Sequence, residues 1–206
     1  MPQDVKFVVD AALRGKSARG WYSRSHNTLI RLYGADAPIV AGIIAATSPR
    51  VSVKRNWEVS TAFYRKWVNA GKLLDGIAVV SCLKEVCVPL PAWIPNVLRA
   101  VNGKPLSGLK VESFRRNLSG DYDAVVLDTW MAQFFGVPHA TLAKPEVYNH
   151  ISAIIRDAAK ALDWYPCEVQ ETVWSAVRFE IRQNGQGHMF ADTIIADTVS
   201  FDNLAG

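Results

Sequence analysis

Along nearly the whole chain, apolar residues return at the three-to-four-residue spacing of an amphipathic helix, and no series of alternating strands bounded by turn signals interrupts them. That pattern predicts an all-α fold. Helices are expected over residues 5–13, 23–33, 37–47, 53–69, 94–101, 111–118, 130–135, 145–162 and 167–182, with stops set by Gly34, Pro49, Gly71 and Gly103. The third of these is apolar on nearly every face, so it belongs at the centre of the molecule. After Asn184 the sequence NGQGHMF loses its period, and the last stretch reads as a loop with a short helix.

With 206 residues, half of them apolar and 20% charged, the chain can bury its own core as one domain or two small lobes. The longest unbroken apolar stretch, residues 37–46, is about half of what a bilayer span requires, and the amino terminus lacks the basic cluster of a signal peptide. No membrane association is therefore expected. Cys82, Cys87 and Cys167 cannot all pair and lack the close spacing of a zinc or iron–sulfur site, which reads as reduced thiols in a cytoplasm. His26, His139, His150 and His188 show no ligand spacing, so neither a metal nor another cofactor is implied. The net charge of +4 permits a nucleic-acid partner without demanding one, and the bases concentrate in residues 14–31, 50–55 and 110–116.

The segment PLSGLKVESFRRNLSGDYDAVVLDTWM, residues 105–131, carries the chemistry. Pro105, Ser107 and Gly108 form a tight hairpin that opens into a helix beginning near Lys110, leaving backbone N–H groups at a positive helix end suited to a phosphate. That helix breaks at Gly120, and the apolar run 124–127 returns the chain, so Asp128 can come back beside Lys110. An amine and a carboxylate facing each other at the mouth of a hairpin form a nucleophile and base pair, because burial drives a lysine toward its neutral form. Asp128, followed by Thr129 and Trp130, also reads as a helix N-cap, and the two roles can coexist.

These residues resemble the helix-hairpin-helix DNA glycosylase superfamily of the endonuclease III type, whose hairpin precedes a lysine nucleophile and whose aspartate follows at the separation seen from Lys110 to Asp128. A second landmark lies upstream in IIAATSPRVSVKRN, residues 43–56, which is similar to that family's buried helix and following loop; Arg50 stands where a polar residue enters the duplex gap. The likeness runs from the residue 37 helix to about Gly136. It implies an all-α, two-lobed fold with a cleft between a central lobe, residues 34–136, and a terminal lobe, residues 1–33 plus 137–206. It further implies double-stranded DNA as partner, with modified bases among the substrates. Lys110 and Asp128 would be catalytic. Arg50, Lys54, Arg55, Ser107, Gly108, Leu109 and Arg115 would contact DNA, and Trp130 and Tyr148 would wall the base pocket. Two departures stand out: Leu106 replaces the hairpin's first glycine, and Trp130 replaces a histidine or asparagine. The four-cysteine cluster of many members is missing.

Short members of this kind look like bacteriophage proteins, which would place the chain in a host cytoplasm. Three activities follow from the resemblance. In the first, a glycosylase/lyase flips a nucleotide and excises its base, with Lys110 attacking the sugar and Asp128 stabilising its developing charge. In the second, a transferase delivers an amino acid or polyamine to an activated thymine in DNA hypermodification. The third is a DNA-binding module without chemistry, the reading that Leu106 and Trp130 favour. Trp174, in the helix from Gln170, reads as scaffold.

Overall fold

The computed structural model describes residues 4–183, and among these every regular element is helical. In chain order the helices are α1 (Val5–Arg14), α2 (Trp21–Tyr33), α3 (Ala37–Thr47), α4 (Val53–Asn69), α5 (Gly76–Val86), α6 (Ile94–Val101), α7 (Leu109–Leu118), α8 (Thr129–Phe134), α9 (Pro145–Leu162) and α10 (Pro166–Gln183). Short 3₁₀ turns join several of them, at Lys16–Ala18, Gly34–Asp36 and His139–Ala143. The starts are set by side chains that satisfy orphan backbone donors: Asp4 caps α1, Ser52 caps α4 and Asp75 caps α5. Helix α5 occupies a stretch for which the apolar period predicts no element, and its Asp75 cap supplies the missing start signal. The segment expected as a terminal loop and short helix lies outside the described residues.

From Val40 to Thr47, helix α3 is buried on every side, as its composition demands. Ile43, Ala45 and Ala46 join a cluster built with α4, α5 and α6, whereas Val40, Ala41 and Ile44 join a second cluster with Tyr22 and Leu29 of α2 and Trp57 of α4. Gly42 makes this closeness possible, since a Cβ there would sit 2.9 Å from the Cβ of Ala100 on α6. A continuous helical stretch, Lys16–Thr47, is long and apolar enough by composition to cross a membrane, with a mean hydropathy of 1.5 in its best window. It runs through α2, a 3₁₀ turn and α3, and the α3 part is the protein's own core.

A third cluster joins α1, α8, α9 and α10 through Val8, Ala11, Met131, Ile151, Ile155, Val169 and Val173. The non-helical run after α7 forms its seam with the rest: Val125 and Leu127 face this cluster while Val126, between them, faces the α2–α3 cluster. The chain therefore delivers Asp128, the next residue, to a boundary where α8 and α10 meet.

Candidate active site

Two loops are brought together by the start of α6. Trp93, buried, donates its indole N–H to the carbonyl of Pro49 at 3.3 Å, which fixes the loop between α3 and α4. Asn96 clamps the hairpin in both directions, donating to the Ser107 carbonyl at 3.0 Å and accepting from the Ser107 N–H at 2.7 Å. The loop residues 48–52 and the hairpin residues 105–108 thus stand on one support.

Gly108 then starts α7 at φ 109°, a backbone conformation that a side chain would strain, and no side chain caps this helix end. Glu112, one turn in, accepts the Leu106 N–H at 2.7 Å and both arms of the Arg115 guanidinium at 2.9 and 2.6 Å. Burial pushes the Glu112 carboxyl up, but the Arg115 fork and the Leu106 N–H outweigh it and hold the group below its ordinary value. Arg115, expected on DNA phosphates, is paired through its guanidinium fork with Glu112 and so braces the hairpin. The remaining expected contacts are accessible: Arg50, Lys54, Arg55, Ser107, Gly108 and Leu109 are all exposed, with Arg55 paired to Glu58 at 3.3 Å. Arg50 holds φ 65°, a left-handed backbone uncommon for a residue with a side chain.

Lys110 lies in the first turn of α7 with its Nζ 3.4 Å from the Oγ of Ser48, which itself donates to the Ala45 carbonyl. Burial draws the Lys110 amine below its ordinary value, and the nearby charge of Asp128 opposes that shift without cancelling it. Asp128 is the N-cap of α8: its Oδ1 accepts from the N–H groups of Trp130 at 3.0 Å and Met131 at 3.1 Å. Its Oδ2 accepts from the indole N–H of Trp174 on α10 at 2.9 Å. The Arg178 guanidinium carbon lies 4.2 Å from the Trp174 ring centroid and 5.5 Å from that of Trp130. Asp128 and Trp130 thus adjoin at the start of α8, and the Asp128 charge acts on Lys110; a partly desolvated amine in the field of an anchored carboxylate is a combination able to form an imine or to move a proton.

Tyr148 takes a different place from the expected pocket wall. It is buried in the core, where its hydroxyl donates to the Val125 carbonyl at 2.7 Å and accepts from the Leu127 N–H at 3.2 Å, so it pins the run that leads to Asp128. Ser48, Trp93, Asn96, Glu112 and Trp174 are the supporting residues that sequence reasoning missed or, for Trp174, assigned to scaffold. Only Glu112 had a local signal, three residues before Arg115 on one helix face. Among the described residues, no group of three His, Cys, Asp or Glu side chains is placed to hold a metal ion.

Residues 7–181 match the model of a family of unknown function, DUF7178. No curated protein and no solved structure matches the chain.

Proposed function

Since the chain belongs to DUF7178, whose description assigns no activity, we propose from its site that it acts on double-stranded DNA, flips a nucleotide and excises the base as a glycosylase/lyase. One observation carries the reading: Lys110 lies in the first turn of a helix that no side chain caps, its Nζ 3.4 Å from the Ser48 Oγ, and burial lowers its basicity against the pull of the Asp128 charge. The exposed hairpin 107–109, Arg50 in the loop before α4, and Lys54 and Arg55 in the first turn of α4 suit phosphates on either side of a flipped nucleotide, and Lys110 reaches the same loop at Ser48. The strained backbone of Arg50 supports its role as the residue that enters the duplex gap. Trp130, partly buried beside Asp128, is the aromatic surface for the extruded base.

In this reading Asp128 accepts a proton from the Lys110 ammonium. The neutral amine then attacks the sugar C1′ while the glycosidic bond breaks, and the base departs with the bonding electrons and takes up a proton. Loss of the second amine proton and opening of the ring give the imine. Removal of a C2′ proton expels the 3′ phosphate, and water hydrolyses the imine to restore Lys110.

Incubation with duplexes carrying modified and unmodified bases, followed by mass analysis of nucleosides and borohydride trapping, tests the proposal. Free base together with a trapped protein–DNA adduct is the expected result. An altered nucleoside without an adduct would replace excision by transfer of an amino acid or polyamine to the base. Unchanged DNA in every duplex would leave a binding module.

A further inference from the structure

We infer that Trp174 is a positioning residue that aims one oxygen of Asp128, an inference that rests on the reading of Lys110 and Asp128 as the reacting pair. An ordinary N-cap needs one carboxylate oxygen, and α8 uses one: Oδ1 takes the N–H groups of Trp130 and Met131. The second oxygen of an exposed cap turns to water. Here Oδ2 is held by an indole N–H that arrives from another helix, 46 residues later in the chain.

Counting lone pairs shows what this does. A carboxylate offers about four acceptor positions, two on each oxygen. The two backbone donors fill Oδ1, and the Trp174 indole takes one position on Oδ2, so the acceptor that remains is also on Oδ2. The oxygen that can receive a proton is the one whose direction Trp174 sets. Trp174 is steadied in turn: its ring packs against the α1–α9–α10 core, and the Arg178 guanidinium, one turn further along α10, lies over it. Helix α8 sets the position of the carboxylate, and α10 sets its rotation about the Cβ–Cγ bond.

The test uses the full-length chain and a duplex containing an abasic site, with borohydride trapping under single-turnover conditions. Trp174→Phe keeps most of the ring and removes the N–H. It is expected to slow trapping about tenfold or more, part of the roughly 10²–10⁴ that a positioned general base contributes, while the dissociation constant for the same duplex stays unchanged. In an Asp128→Asn background, Trp174→Phe should cost nothing further, because the two residues act through one oxygen; a packing role would make the two losses add. Undiminished trapping in Trp174→Phe, or additive losses, overturns the inference and leaves the site reading standing. A wild-type chain that neither traps nor excises overturns the site reading, and this inference with it. Should Trp174→Phe fail to fold, the indole N–H resonance of Trp174 in nitrogen-15-labelled protein decides. A slowly exchanging signal that moves in Asp128→Asn supports the contact, and identical signals in the two proteins overturn it.

Discussion

Lys110 keeps its amine where water is scarce, and the consequence has a definite sign. Desolvation disfavours the ammonium, so the neutral amine becomes available at lower pH than in an exposed lysine. On the proposed mechanism the rate of imine trapping should rise with pH and level off below the ordinary lysine value of 10.5, while Lys110→Gln should give no adduct at any pH. A charge held against its solvation also burdens the fold, so Lys110→Met should be more stable than the wild type by on the order of 1 kcal/mol, read as a higher melting temperature, with trapping lost. Asp128 obeys a different constraint. Were it only a cap, an asparagine would replace it with little loss of stability, as the local sequence suggests. The Trp174 contact changes that expectation, because the amide that caps α8 through its oxygen must turn its NH₂ toward an indole N–H, and two donors cannot pair. Asp128→Asn should therefore destabilise the protein by about 1–3 kcal/mol and lower turnover by roughly 10²-fold or more. Thermal melts and single-turnover rates measure these effects separately, and full activity would reduce Asp128 to its cap.

Between elements, the join of α10 to α2 is the most informative. Glu171, buried on α10, accepts the backbone N–H groups of Gly20, Trp21 and Tyr22 at the start of α2. Burial pushes its carboxyl up to about 7, and the three N–H donors oppose the rise without reversing it. The folded protein thus binds this proton more tightly than the unfolded chain, whose ordinary value is 4.5. The contribution is fully present below 4.5 and is lost as pH climbs through about 7, so stability should fall between these values by on the order of 3 kcal/mol. Melts from pH 4.5 to 8 should show this slope in the wild type and a flatter one in Glu171→Gln; equal slopes would remove Glu171 as the cause. The approach of α1 to α10 is closer still. A Cβ on Gly15 would lie 1.9 Å from the Thr172 carbonyl oxygen, so Gly15→Ala must separate the two helices and should destabilise by several kcal/mol.

At the scale of the whole molecule, the division of the basic residues into solvent-facing and internally paired ones determines how the proposed DNA binding should respond to salt. Neutralising four to six phosphates implies a log–log slope of roughly −4 to −5. Replacing Arg50, Lys54 and Arg55 together should reduce its magnitude by about 0.9 for each phosphate that is no longer neutralised. Arg115→Ala should leave the slope unchanged and lower the melting temperature instead, since its partner is Glu112. A flat salt response of the wild type would exclude a phosphate-bound partner.

Helix boundaries were legible because their causes are local. The apolar period, with glycine and proline as punctuation, predicts the bounds of α3, α4, α6 and α9 as the structure has them. Asp128 as the cap of α8 was legible for a related reason, since the helix it starts follows it directly in Thr129 and Trp130. The rest depended on which surfaces met. The resemblance implies Tyr148 as a pocket wall and Arg115 as a DNA contact, and the helical period gives Trp174 as scaffold. Packing instead placed the Tyr148 hydroxyl on the backbone before Asp128, Glu112 against Arg115 with the Leu106 N–H, and the Trp174 indole on Oδ2. Residue order sets a hydrogen bond when its partners share one turn. When the partners lie 46 residues apart, the bond exists only because two helices bury their apolar faces against a common core and bring donor and acceptor into register.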